Sequence, residues 1–459
     1  MVVGCSEVVE EHARPCPQSV RYEDFVLEAG APAAQLEALR GVTEVVGEVS
    51  ITDAESLEAL SCLERVEGRL SVSGPKTLEG LERLERVGGL ALSGRLRNVD
   101  ALERLTTVDE SISLDSLPAV EDLQFSIEKL GGDIFINDVN PDAPFDLAIG
   151  GSFDGSIQSV QSAPDLRPFT RRLEHVGGDI DLHGTAMGAV DFSGLITIGG
   201  DLILFADQTS QPLPAMGSLT RVGHDLKLVN LLSEDLSSLR SLQRAGGIHI
   251  QVFPALRSLH GLEGLRVLEH DGGRVESASP GVGLYGLPLL EDISALAGIE
   301  RVIGLPAEGP GSAYVSGCDR LSDLHGIESL LPWVDKLSLY ELPDLVGFTS
   351  LEPVSKLPSL HAEATGLTSL AGLETSGPWF QKLDGMVYVW LIDNPDLVEL
   401  MPAAATADNE VAESGFVVIE GNTSLGHCEA EAFIEAAQAQ GFDGATSNKD
   451  SLDDTPCDR

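Results

Sequence analysis

Residues 281–286 read Gly-Val-Gly-Leu-Tyr-Gly and match the GxGxxG pattern that cradles a pyrophosphate. That chemistry needs a strand before the glycines and a helix after them, within a βαβ unit. Here an acidic, Ser-rich loop precedes them and a leucine-repeat coil follows, so no dinucleotide site is expected. The sequence contains no GxxxxGK[ST], HExxH or GxSxG. Its ten histidines are scattered singly, without a recurring Ser or Cys partner. Among 73 acidic residues some pair will always sit at glycosidase spacing, so carboxylate chemistry is not specified. No catalytic residue, resident metal or cofactor is expected.

Three groups of side chains carry more specific chemistry. Asp133, Asp179, Asp201 and Asp225 occupy one position of a recurring phrase. Stacked aspartates repel unless solvated or bridged, which makes Asp179, Asp201 and Asp225 weak calcium candidates; Asp is equally a common turn residue. Strand alternation turns Phe135, Asp181, His183, Ile203, Phe205, Lys227, Val229 and His249 outward in the middle coils. Ser50, Ser71, Ala91 and Ser113 hold the same column earlier, so this face changes from small and polar to large and partly apolar. Tyr314, Tyr340, Tyr388 and Trp390 are expected outward further on; a one-residue slip would turn them all inward. Aromatic rows stack on sugar rings or anchor a protein partner.

These positions rest on an internal repeat. The phrase is VTEVVGEVSI at 42–51, LERVEGRLSV at 63–72, IEKLGGDIFI at 127–136, LEHVGGDIDL at 173–182 and LITIGGDLIL at 195–204. LTRVGHDLKL at 219–228 puts His224 at the glycine position. Each phrase ends in strand alternation, and its glycine suits a turn of positive φ. A leucine pattern of period three follows, as in SLEALSCL at 56–63, and suits a 3₁₀ or irregular return. Later strands are expected at 313–317, 336–340, 387–391 and 416–421. Neither strand nor return can bury its apolar edge alone, so the expected fold is mainly β. It is a solenoid of about fifteen stacked coils of 21–24 residues, with short helical caps at 31–41 and 428–441. Glu64, Glu85, Glu128 and Glu174 beside Arg65, Arg86, Lys129 and His175 form a solvated face.

The LExVxGxLxI phrases, the join SLEALSCLERVEG at 56–68 and the ending GNTSLGHCEAEAF at 421–433 resemble the receptor L-domain family. The resemblance covers about 17–457 and is looser beyond 250. It implies a right-handed, leucine-rich β-helix in an extracellular setting. It does not imply a hormone receptor, since no kinase, transmembrane segment or Cys-rich module is present. The expected organisation is a tail at 1–16 and a first solenoid at 17–269 with an insertion at 138–165. A second, more irregular solenoid follows at 270–427, then a capping helix and acidic tail at 428–459.

The net charge of −44 disfavours nucleic acid, which requires clustered Lys and Arg. No apolar run approaches the roughly 18 to 20 residues of a membrane span. The six cysteines form no CxxC pair. Cys428 with Cys457 would tie down the terminal helix, and Cys16 with Cys62 would staple the first coils. Cys318 reads as a buried thiol. Val2-Val3-Gly4-Cys5 resembles the end of a bacterial lipoprotein signal, which would make Cys5 a lipid tether to the outer membrane. The expected molecule is a monomeric, non-enzymatic surface or secreted protein that presents a rigid face to a glycan or protein ligand. A self-associating envelope adhesive is the alternative, and a polysaccharide-active enzyme a distant third.

Overall fold

The computed structural model describes residues 16, 19–21, 23–30, 33–184, 187–207, 211–269, 281–303, 311–349, 351, 359–373, 387–400, 415–439 and 442–449. The chain is a mainly β, parallel β-solenoid that divides into two compact units, residues 1–149 and 150–459.

In the first unit six parallel strands form the main ladder: Phe25–Glu28, Val49–Thr52, Arg65–Ser73, Arg86–Ser93, Ile112–Leu117 and Ile134–Val139. Alternation dictates their faces. Val49 and Ile51 are buried while Ser50 lies half-buried between them, and Ile134, Phe135 and Ile136 repeat the pattern. A second parallel ladder runs through Val20–Arg21, Glu44–Val45, Arg65, Arg86, Thr107–Val108 and Lys129–Leu130. The leucines spaced by three close the third side. Leu57, Leu60 and Leu63 are all buried around the 3₁₀ turn Glu58–Leu60, because three residues per turn put i and i+3 on one face. Each such side chain contributes about 1.5–3 kcal/mol by leaving water.

Among the described residues of the second unit the main ladder has twelve strands. They are Ile157–Val160, Ile180–His183, Leu202–Phe205, Leu226–Val229, Ile248–Gln251, Gly281–Tyr285, Gly311–Ser316, Val334–Leu342, Ser359–Thr365, Val387–Ile392, Gly415–Glu420 and Ala445–Lys449. The register advances by 22 residues from Ile180 to Leu202 and by 29 from Leu360 to Val389. Several later coils are therefore longer than the expected 21–24 residues, although Ala313 to Leu337 and Leu337 to Leu360 advance by 24 and 23, and the total departs from fifteen. Gly281–Tyr285 is one of these strands, so the GxGxxG match is not a phosphate loop.

Three local expectations change. Residues 138–165 are not set apart as an insertion, because Phe145–Leu147 pairs with Leu123–Phe125 and Ile157–Val160 pairs with Ile180–His183. The helices Ala33–Leu39 and His427–Ala439 lie within coils rather than beyond them: Phe25–Glu28 precedes the first, and Ala445–Lys449 follows the second and joins the ladder. The phrase glycines do not adopt positive φ. They are required for close approach, since a Cβ on Gly68 would lie 2.7 Å from the carbonyl oxygen of Gly47 in the preceding coil. Positive φ falls at the end of the main strand instead, within its last two residues or just after it, at Asp53, Gly74, Gly94, Ser116 and Asp138 in the first unit. Gln161, Gly184, Asn230, Val252, Gly286, Gly317, Glu341, Ala364, Asp393 and Gly421 hold that corner in the second.

Buried side-chain amides finish the last coils. Asn394 and Asn422, at 0% and 2% exposure, stack in register. Asn394 N–H donates to Asn422 Oδ1 at 3.0 Å, and Asn422 Nδ2 donates to the Leu391 carbonyl at 2.7 Å. Asn422-Thr423-Ser424 has the form of a glycosylation sequon, but Asn422 lies in the core with its amide nitrogen already committed.

Candidate functional site

The outward face of the second unit's main ladder carries a continuous row of rings. Register places Gly283, Tyr314, Ser338, His361, Trp390 and Val418 in one outward column, and Tyr285, Ser316, Tyr340, Glu363, Ile392 and Glu420 in the next. Tyr285, Tyr314, Tyr340 and His361 alternate between the two columns and meet diagonally, whereas His361 and Trp390, and Tyr388 and Phe416 two residues earlier on their strands, are direct register partners. Tyr285 stacks on Tyr314 with centroids 4.5 Å apart, and Tyr314 on Tyr340 at 5.1 Å. Tyr340 meets His361 at 4.6 Å, His361 meets the Trp390 ring edge-on at 4.7 Å, and Tyr388 lies 5.7 Å from both Trp390 and Phe416. Seven rings thus cross six successive strands. Phe416, at the end of the row, is 43% exposed.

A polar chain runs through this row. His361, only 7% exposed, is held below the ordinary histidine pKa first by burial, with Lys336 adding to it and the Glu363 carboxylate opposing. The neutral ring satisfies both neighbours in one tautomer. Nε2–H donates to Glu363 Oε2 at 3.1 Å, and Nδ1 accepts the Tyr340 hydroxyl at 2.7 Å. Burial raises the Tyr340 and Tyr285 hydroxyl pKa values, so both phenols stay protonated donors at neutral pH. Lys336 Nζ lies 5.4 Å above the Trp390 ring, within cation–π range. The Tyr388 backbone N–H donates to Ser359 Oγ at 3.1 Å. This arrangement offers a ridge of ring edges punctuated by hydroxyls, fixed by stacking and hydrogen bonds.

Tyr314, Tyr340, Tyr388 and Trp390 therefore lie together, as the alternation predicted. Tyr285, His361 and Phe416 complete the row and were missed. Tyr285 sits inside the dismissed GxGxxG match, and His361 lies in a strand without the recurring phrase. Phe416 was legible as the outward residue of FVVIEG.

The middle coils hold a smaller patch. His183 stacks on Phe205 at 5.3 Å and its Nε2 lies 2.7 Å from Asp181 Oδ1. Burial raises the Asp181 pKa, opposed by His183 and reinforced by Asp179 and Asp201. Asp181, Ile203, Lys227 and His249 form one column. Buried Asp225 is 3.6 Å from Lys227 Nζ and 3.7 Å from His249 Nε2. His249 is itself largely buried, which lowers its pKa. Phe135 is half-buried in the first unit, where it pairs with Ser113.

The aspartate column has a structural role. Asp201 N–H donates to Asp179 Oδ1, and Asp225 N–H donates to Asp201 Oδ1, each at 2.8 Å. Ser111 and Ser156 hydroxyls do the same for the N–H groups of Asp133 and Asp179. Each side chain thus caps the turn of the next coil. Donor atoms of Asp179, Asp201 and His224 lie within 4.8 Å of one another. Asp225 is not in that group. A set with an imidazole suits a borderline transition ion better than calcium, which takes six or more oxygens.

Cys16 and Cys62 form a disulfide, with Cα atoms 5.5 Å apart. Cys428 is also disulfide-bonded; Cys457, its expected partner, lies outside the described residues, as does Cys5. Cys318 is a buried free thiol whose pKa burial pushes up to about 12, so it is inert at neutral pH. No family model matches the chain, and no curated protein matches it in sequence. Among the described residues no helix is long and apolar enough to cross a membrane.

Proposed function

We propose that this chain is a non-enzymatic recognition protein of receptor L-domain type, displayed on the cell surface or secreted, that binds its ligand on the aromatic row of the second unit. The observation that carries this reading is the seven-ring row from Tyr285 to Phe416. Surface tyrosine and tryptophan are costly to leave in water and are the residues most often found at binding hot spots. Parallel ladders hold the row rigid, so little conformational entropy is lost when a ligand docks. The Cys16–Cys62 disulfide supports an oxidising, extracytoplasmic setting, where a lipid on Cys5 would serve as a tether.

The test is binding of the purified chain to arrays of glycans, cell-wall polysaccharides and extracellular proteins. It is run beside a Tyr388→Ala/Trp390→Ala variant whose circular dichroism matches the parent. A ligand lost in the variant supports the reading. A ligand bound equally by both, or release of reducing sugars from a polysaccharide, overturns it.

A further inference from the structure

We infer that the occupant of the aromatic row is an extended, Arg- or Lys-bearing segment of another protein. This rests on the recognition reading and goes further by choosing the partner's chemistry.

Ring orientation argues against sugar. A pyranose packs on an exposed aromatic face. Tyr285, Tyr314 and Tyr340 turn their faces against one another, at interplanar angles of 25° and 27°, and Tyr388 and Phe416 do the same at 11°. Trp390 is turned differently, but Lys336 lies over its face and His361 meets it at 90°. Each of these faces is thus covered by a neighbouring ring or cation. A ridge of this kind packs against aliphatic stems and accepts hydrogen bonds from flanking groups.

Charge argues against a second copy. The chain carries a net −44, and two such surfaces repel. The same charge selects a basic partner, and its local distribution is suitable. Tyr340, Glu363, Ile392 and Glu420 follow one another in register, and exposed Glu341 and Asp393 occupy the positive-φ corners just beyond that column. Glu420 is paired with Lys449 at 3.8 Å and Glu363 with His361. Among the described residues Glu341 and Asp393 form no ion pair. The row is therefore bordered on one side by carboxylates, and with His361 neutral only Glu420 has a cationic partner among the described residues.

Length fits an extended chain. The rings cross six strands, five spacings of ~4.8 Å, or about 24 Å. An extended segment of about seven residues, at ~3.3 Å each, spans that distance. Its alternate side chains would lie along the ridge and reach the carboxylate edge.

The test is fluorescence anisotropy with a fluorescein-labelled peptide of roughly twelve residues, alternating Arg and Val, long enough to cover the row. Its Glu-for-Arg counterpart and a β-1,4-linked glucose oligosaccharide are the comparison probes. Titrations at about 0.15 M salt screen long-range attraction to the acidic surface. The proteins are the parent, Tyr314→Ser/Phe416→Ser, Phe416→Ser alone and Glu341→Gln/Asp393→Asn. The first two variants keep the net charge, and exposed Phe416 can change without opening the core.

The expected result is binding of the basic peptide alone. It weakens at least about tenfold in Tyr314→Ser/Phe416→Ser, a typical hot-spot loss, and a few-fold in the other two variants. Equal binding by parent and ring variants would mean general charge attraction and overturn the proposal, as would no binding of the basic peptide to the parent. Oligosaccharide binding lost in the ring variants would overturn the partner class and leave the recognition reading standing. Ring variants that alter binding of no probe and no array ligand would overturn both.

Discussion

The Tyr340 hydroxyl donates to Nδ1 of His361 across adjacent strands at 2.7 Å, and this bond exists only while the imidazole is neutral. Protonation would place a second N–H where Tyr340 now donates, and would put a charge among Tyr340, Trp390 and Lys336 in a site with little water. The direction of the pH effect follows. The folded-state pKa of His361 is lowered, so its contribution to stability is complete above about 6.5, the unfolded value, and is lost as pH falls through the folded value. Denaturant unfolding between pH 7 and 5 should show a loss on the order of 1 kcal/mol that is absent in His361→Phe. Neutralising 73 acidic residues changes both proteins alike, so the difference in slope reports His361. Equal slopes would mean that His361 has the same pKa folded and unfolded, and would contradict the lowering by burial.

Asn422→Ala should destabilise the second unit by about 2–4 kcal/mol, because it removes the acceptor of the Asn394 N–H and the donor to the Leu391 carbonyl in a dry site. Urea titration followed by far-UV circular dichroism measures this. A loss under 0.5 kcal/mol, roughly what a surface change costs, would contradict the burial of the amide ladder.

Val252 holds φ +58° at a corner where the preceding coil has Asn230 at +61°. A β-branched residue there is strained by about 1–2 kcal/mol. Its side chain is exposed, so little packing is at stake. Val252→Asn should therefore stabilise the protein by about 1 kcal/mol, read as a higher urea midpoint with unchanged slope. A lower midpoint would show that the side chain contributes more than its strain costs.

This corner also shows where sequence reasoning stops. The phrase IEKLGGDIFI betrays its strand because Ile134 and Ile136 must share a buried face, and Leu57, Leu60 and Leu63 betray the turn because three-residue spacing stacks them. The positive-φ corner leaves no such mark. Ser116, Gln161, Val252, Glu341 and Ala364 occupy it, none of which signals a left-handed backbone, and inter-coil hydrogen bonds hold it in place. The phrase glycine misled for the opposite reason. A glycine before a strand suggests positive φ, whereas its actual cause, a neighbouring coil's carbonyl, is distant in sequence. Likewise an amphipathic stretch such as 427–439 looks the same whether it closes a solenoid or returns to one more strand. The row of rings was half legible. Alternation turned Tyr314, Tyr340, Tyr388 and Trp390 outward, but the pairing that adds Tyr285 and His361 depends on coils of 29 to 34 residues that no repeat marks.

The central claim is that ligand meets the second unit along this row. The most direct measurement is hydroxyl-radical footprinting of the full chain, free and with the ligand captured on the arrays. The account predicts protection at Tyr285, Tyr314, Tyr388 and Phe416, with His183 and Phe205 unchanged. Protection centred on His183 and Phe205 or on the first unit, or no array ligand at all, would contradict it.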